Sequence, residues 1–259
     1  MGIEIKMVQP DVAKHDASLS PSLIANQPKQ APAYEMKFLL SLKQAEQLEA
    51  LLRQHCLLDP HADPTLGHAY RVTSVYLDTP ERDVLKRTPG HRRHKFRVRR
   101  YGLEPTLYLE RKSKKQGRVW KKRCAVAVDE VHEVLATPPE AWLGMWFARA
   151  FAKRKLQPVC RLTYERMAFI GSSPTGATRV TLDRALRCLP ANDLSAGVFV
   201  GGAALLVEHV VVEFKYLDTM PVFFKDLMAQ LGLSPSRVSK YRQAAQATGL
   251  ISAEGQRHA

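Results

Sequence analysis

No run of this chain is apolar enough to cross a membrane, and its first residues, MGIEIKMVQPDVAKHD, carry acids and lack the hydrophobic region of a signal peptide. A cytoplasmic location is the resulting expectation. The four cysteines, Cys56, Cys124, Cys160 and Cys188, are far apart, with no CxxC pair and no compact zinc-ligand spacing. They read as reduced, mostly buried thiols without chemistry of their own. There is no GxxxxGK[ST] loop and no kinase motif set, which argues against the P-loop and kinase routes to phosphate chemistry. Acid is scarce: 25 Asp and Glu stand against 39 Lys and Arg, a formal charge of +14. Such a balance favours an anionic partner, whether nucleic acid, nucleotide, inorganic polyphosphate or an anionic membrane, without choosing among them.

What is present is enough for a sizeable core: 259 residues, 45% of them hydrophobic. Residues 1–32 hold Pro10, Pro21, Pro28 and Pro32 among small and polar residues and read as a flexible lead-in; residues 246–259 read as a flexible tail. Between them, 33–245 reads as one α+β domain with antiparallel strands in the centre and helices at the flanks. YEMKFLL (34–40) alternates as a strand, with Glu35 and Lys37 on one face and Met36 and Phe38 on the other. SLKQAEQLEALLRQHC (41–56) reads as a helix, opened by a Ser41/Gln44 capping box and striped by Leu42, Ala45, Leu48 and Leu52. Further strands are expected in YRVTSVYLDTP, RRHKFRVRRYG, PTLYLERKSKK, GRVWKKRCAVAV, CRLTYERMAFIG, TRVTLDRALRC and LLVEHVVVEFKY. Helices are expected at 129–136, 139–155, near 220–231, and from Ser234 and Pro235 through PSRVSKYRQAAQA.

Charge is concentrated in residues 92–123, which contain fourteen Lys or Arg and two acids, Glu104 and Glu110. In HKFRVRRYG, Lys95, Arg97 and Arg99 project together while Phe96 and Val98 point the other way. In TLYLERKSKK, Glu110, Lys112 and Lys114 share a face; in GRVWKKRCAV, Lys121 and Arg123 share one and Lys122 takes the other. A strand basic on both faces cannot put both into a dry core, because unpaired buried charge is too costly. A single such strand is ordinarily a solvated surface; several in succession make the wall of an anion site an equal contender. Later strands mix charges too: Glu213 and Lys215 beside Val211, Arg166 beside Glu165, and Arg179 with Thr181 and Asp183. Carboxylates in such a cavity bind phosphate poorly alone and become useful where they hold a divalent ion that also touches phosphate oxygens.

YEMKFLL, VYLDT, KFRVRRY, YLERKSKK, VWKKR, YERMAF, RVTLD, VVVEFK and VSKYRQA, in this order, resemble the VTC catalytic domain, the inorganic polyphosphate polymerase branch of the CYTH-like triphosphate tunnel metalloenzymes. The likeness spans about residues 33–245. It implies an antiparallel β-tunnel with flanking helices, whose basic walls bind phosphate and whose carboxylate face holds manganese or magnesium. It implies an ATP-dependent phosphotransferase that moves the terminal phosphoryl group of ATP onto a growing polyphosphate chain. Carried over motif by motif, Lys37, Arg97, Arg99, Lys112, Lys121, Arg166, Arg179, Ser239 and Lys240 would bind phosphate, and Glu213 would ligate the metal. Arg97, Arg99, Lys112, Arg166 and Glu213 form the expected catalytic set, and Ser239 with Lys240 would close one end of the tunnel. WKKR offers Lys122 as an alternative to Lys121, one register away.

ATP and inorganic polyphosphate are thus the expected partners, and an unlinked membrane partner for the product stays open. The same wall and metal would serve water as acceptor, so an inorganic triphosphatase or polyphosphatase is the first alternative. A non-catalytic polyphosphate- or nucleic-acid-binding module is the second. No specific nucleic-acid site is expected, since there is no zinc finger, RRM signature or clear recognition helix, and charge alone would give salt-sensitive, non-specific binding.

Overall fold

The computed structural model of the chain describes residues 31–250. Residues 1–30 of the expected 1–32 lead-in and residues 251–259 of the expected 246–259 tail lie outside the described residues. Ten strands carry the molecule: β1 (Ala33–Ser41), β2 (Leu57–Leu58), β3 (Tyr70–Asp78), β4 (His94–Tyr101), β5 (Thr106–Lys115), β6 (Arg118–Ala127), β7 (Gln157–Ser173), β8 (Gly176–Pro190), β9 (Ala203–Leu205) and β10 (His209–Tyr216). The helices are α1 (Leu42–His55), α2 (Asp83–Lys86), α3 (Met145–Lys153), α4 (Val222–Gln230) and α5 (Lys240–Ala247). All pairings between these strands are antiparallel. They make one sheet in the order β2-β7-β3-β4-β5-β6-β1-β10-β8-β9, with β7 and β8 also paired.

The antiparallel α+β class stands, but the expected closed tunnel is corrected. A tunnel wall must be laddered all round, and β6 meets β1 in only two residue pairs, Ala33 with Val119 and Tyr34 with Arg118. From Glu35 onward β1 is laddered only to β10. The sheet therefore curls about a cavity without a continuous hydrogen-bonded wall. The physical reason is that alternation dictates which face a side chain takes and says nothing about whether two strands distant in sequence pair along their whole length.

Outside the curl, helices cover the apolar faces of β1, β8 and β10 on one side and of β3, β4 and β5 on the other. Phe38, Leu40, Val180, Leu182, Val212 and Phe214 pack with Ala45, Leu48 and Leu52 of α1 and with Phe224 and Leu227 of α4. Val75, Leu77, Phe96, Val98, Leu107 and Leu109 pack with Phe147 of α3 and with Val134 in the 3₁₀ turn Asp129–Val134. Burying each such side chain contributes about 1.5–3 kcal/mol, so these outer layers fix which side of every strand faces inward. Ser41 caps α1 as its sequence implies: its hydroxyl accepts from Gln44 N while the Gln44 side chain accepts from Ser41 N.

Two helical expectations shift. The 139–155 helix is confined to Met145–Lys153, after turns at Trp142 and Met145. The last helix begins at Lys240, with Ser239 as its N-cap, instead of at Pro235. Residues 235–238 are drawn off because Ser236 N donates to Lys37 O at 2.7 Å, which lays this stretch beside β1.

That final segment is locked to β3. Tyr241 donates its hydroxyl to Asp78 at 2.6 Å and stacks on Tyr76, while Arg242 donates to Leu85 O at 2.8 Å. Asp78, fully buried, also accepts from the backbone of Thr79, Val84 and Leu85. Among the described residues no helix is long and apolar enough to cross a membrane. Tyr241→Phe leaves one Asp78 oxygen short of a donor; the expected cost is about 1.5–3 kcal/mol, read as a lowered urea midpoint with an unchanged denaturant slope.

Candidate functional site

Inside the curl lies a cavity of about 690 Å³. The alternation of β4 puts Lys95, Arg97 and Arg99 on its wall, and the β4–β5 register sets Lys95 opposite Lys112 and Arg97 opposite Glu110. β1 contributes Glu35 and Lys37, and β10 contributes Glu213 and Lys215, with Lys37 directly opposite Glu213. β7 supplies Tyr164 and Arg166, and residues 235–242 form the remaining side.

These charges are almost all neutralised within the protein. The Lys37 ammonium lies 3.1 Å from Glu213 and 3.5 Å from Glu35. Lys112 donates to both oxygens of Glu35, at 2.8 and 2.7 Å, and Lys215 lies 3.2 Å from Glu213. Arg97 donates to Glu110 at 2.6 Å. Arg166 holds Asp183 by two bonds, 2.7 and 2.8 Å, and Lys240 approaches the same carboxylate at 2.5 Å. Among the described residues Arg99 has no carboxylate and donates to Ser74 and to the Tyr164 hydroxyl, each at 3.0 Å, while Lys95 has only the Ser239 hydroxyl, at 3.1 Å.

Proton affinities follow from this packing. Burial and the neighbouring Glu213 push the Glu35 carboxyl up, but Lys112, Lys215 and Lys37 outweigh them and hold it at about 2. Burial acts the same way on Asp183, and Arg166 with Lys240 bring it down to about 2. Glu213 is held well below the usual carboxylate range, its burial overcome by Lys37, Lys215, Lys240 and Lys112. All three are therefore ionised at neutral pH, acceptors for cations and not proton donors.

Eight of the ten residues singled out in the sequence line the cavity: Lys37, Arg97, Arg99, Lys112, Arg166, Glu213, Ser239 and Lys240. Lys121 and Arg179 do not. Lys121 shares the inward face of β6 and lies 4.0 Å from Glu110, and Arg179 bonds Asp59 at 2.5 Å and Tyr70 at 2.9 Å. Of the two registers open in WKKR, Lys122 goes outward, over the Trp146 ring. Sequence reasoning left out Glu35, Lys95, Glu110, Asp183 and Lys215. Each shares a strand face with a named residue, so the signal was present; what alternation does not disclose is which carboxylate faces which cation across strands.

Among the described residues no group of three or more His, Cys, Asp or Glu is arranged to hold a metal. Glu35 and Glu213, bridged by Lys37, are the acidic pair at the cavity. Two hard oxygen donors suit a magnesium-like ion that completes its shell with water and phosphate oxygens, a fit that requires the lysines now on those oxygens to move onto the phosphate. Chemically, the arrangement offers a row of directed N–H donors for phosphate oxygens and carboxylates that phosphate can replace.

Comparison with known proteins bears on what this cavity belongs to. The profile of the VTC domain matches residues 32–248. No curated protein matches the chain by sequence. Among solved structures, one from Bacillus halodurans superposes with a TM-score of 0.51 at 12% identity, covering 81% of this chain and 94% of the other. Another from Vibrio parahaemolyticus gives 0.45 at 11%, covering 82% and 98%. A third, from Hippeastrum, gives 0.46 at 13%, covering 81% and 93%. All three are named as putative adenylate or adenylyl cyclases, the last with a dominant triphosphatase activity. At such identities the first likeness is one of fold alone.

The low carboxyl values set a direction for acid stability. A carboxyl ionised down to about pH 2 when folded, but taking its proton near 4 when unfolded, stabilises the protein fully above pH 4 and loses that contribution as pH falls toward 2. Urea midpoints should fall from pH 5 to pH 2.5. Asp183→Asn should flatten that fall and, by stranding Arg166 and Lys240, cost about 3–5 kcal/mol at pH 7.

Proposed function

The chain belongs to the VTC domain family, with the fold of the CYTH-like triphosphate tunnel metalloenzymes, and from that premise we propose that its basic cavity binds a linear triphosphate and catalyses transfer of the terminal phosphoryl group. The observation that carries this reading is the convergence of Lys37, Arg97, Arg99, Lys112 and Arg166 on one cavity, on rigid strands and at hydrogen-bonding reach of one another's counterions. Phosphate oxygens would take over the donors now given to Glu110, Glu35 and Asp183, so that much of the electrostatic cost is already met by an organised wall. Arg97 and Arg166, held in fixed planes by Glu110 and Asp183, are suited to orient non-bridging oxygens, and the lysines to neutralise charge on the leaving group. The bond between the terminal phosphorus and its bridging oxygen breaks as an acceptor oxygen attacks in line; no protein nucleophile is needed.

A divalent ion, manganese or magnesium, would be held by Glu213 with Glu35 beside it and would supply charge neutralisation across phosphate oxygens. With that pair engaged, Lys37 and Lys112 would be free to turn toward the substrate.

We take water as the acceptor. Residues 235–242 wall the cavity on one side, with Ser239 bonded to Lys95 and Lys240 to Asp183, and we read these bonds as closing one end around a short oligophosphate. A second reading, extension of a polyphosphate chain from ATP, is supported by the VTC-like motif order. The deciding experiment incubates the protein with manganese, or separately magnesium, and either tripolyphosphate or ATP. Products are resolved by chain length, with ADP and free phosphate measured separately. Hydrolysis should shorten tripolyphosphate with free phosphate released. ADP with lengthening chains would establish the polymerase instead, and tight binding without turnover by either route would overturn both. Glu213→Gln should retain much of the tripolyphosphate affinity while removing most turnover.

A further inference from the structure

We propose that Lys95 is a further phosphate-binding residue, meeting the phosphoryl group that lies nearest Ser239 and the start of α5. The assignment rests on the oligophosphate reading above and deepens it. Its ground is an imbalance in the wall. Lys37, Lys112, Lys215, Lys240, Arg97 and Arg166 each have a carboxylate within salt-bridging distance. Lys95 shares the inward face of β4 with Arg97 and Arg99 and lines the same cavity, yet no carboxylate reaches it among the described residues.

Its one hydrogen-bond partner among the described residues is the neutral Ser239 hydroxyl, and that oxygen already serves the α5 N-cap by accepting from Arg242 N at 3.5 Å. Arg99, the other cation of the row without a carboxylate, differs in having two fixed partners, Ser74 and Tyr164. The groups around Lys95 are mostly positive: Lys37 on β1, Arg97 on its own strand, Lys112 across on β5 and Arg242 on α5, against Glu35 on β1. Burial, then Lys37, Arg97 and Arg242, bring its ammonium down to about 8.

A cation enclosed among cations with a single neutral partner is costly to maintain and gains most from an arriving anion. A phosphoryl oxygen at this position would supply the missing charge, and Ser239 would remain with the helix cap. Lysine suits the place because its ammonium is a compact point charge that can turn from the serine to a phosphate without a planar partner.

The test is calorimetric titration of the full chain with tripolyphosphate, metal-free, at pH 7 and pH 9.5, for the parent, Lys95→Gln, Lys95→Arg and, as a control for diffuse charge, Lys43→Gln on the exposed face of α1. At pH 7, Lys95→Gln should weaken binding by about 10- to 100-fold, with Lys95→Arg near the parent and Lys43→Gln unchanged. Between pH 7 and 9.5 every form loses what Lys112, itself brought down to about 7 by burial, contributes; beyond that shared loss the parent should fall toward the level of Lys95→Gln, whereas Lys95→Arg, charged throughout, should lose less. A residue that only anchors α5 would not produce this divergence. A parent that binds while Lys95→Gln binds equally well, or while parent and Lys95→Arg fall in parallel with pH, overturns the assignment and leaves the oligophosphate reading intact. A parent that binds tripolyphosphate neither metal-free nor in a parallel titration with manganese overturns that reading itself. Thermal unfolding of each variant identifies loss of fold; should Lys95→Gln fail to fold, the parent against Lys95→Arg comparison across pH decides alone.

Discussion

Buried charge has to be balanced, and the rest of this molecule is organised around that demand. A wall carrying Lys37, Lys95, Arg97, Arg99, Lys112 and Arg166 would be untenable inside a protein without counter-charge. To supply it, Glu110, Asp183 and Glu213 arrive on strands laddered to those of Arg97, Arg166 and Lys37, and Glu35 reaches Lys112 on β5, two strands away from its own. The carboxylates are therefore structural: they stand as internal counter-ions that keep a wall of buried cations stable.

The outer layers make that register dependable. Phe38 and Leu40 anchor β1 against α1 and α4, so Lys37 must face inward; Phe96 and Val98, packed near Phe147, do the same for Arg97 and Arg99. Apolar packing on one face thus aims charge on the other. The C-terminal segment is tied in by a different means, the Tyr241 hydroxyl on Asp78 and the Arg242 guanidinium on Leu85 O, which together bring Ser239 and Lys240 to the cavity.

Much of this was legible in the sequence, for a physical reason. Strand alternation has a strict period, so the common face of Lys95, Arg97 and Arg99, the capping box at Ser41 and the inward pairing of Glu213 with Lys215 follow from residue order alone. Pairings across the sheet do not. Nothing local in TRVTLD says that Asp183 meets the cavity's Arg166, and nothing in VWKKR says that Lys121 sits beside Glu110 and off the cavity lining. Closure was the largest misreading, because the two pairs joining β6 to β1 depend on the curvature accumulated over the whole sheet. The helix start at Lys240 was missed for a related reason: the backbone of Ser236 is claimed by β1, more than a hundred residues away in sequence.

The alternation of β4 against its ladder with β5 has a consequence for how such a chain can diverge. Each inward cation is separated from an outward apolar residue by a single position, so one residue inserted or deleted within β4 would turn Arg97 and Arg99 toward α3 and present Phe96 and Val98 to the cavity. Substitution can proceed position by position, whereas length cannot change inside the strand without inverting it. Insertions and deletions are confined to the connections between strands, and a lineage could alter its loops freely while the reading frame of its charged strands stayed fixed.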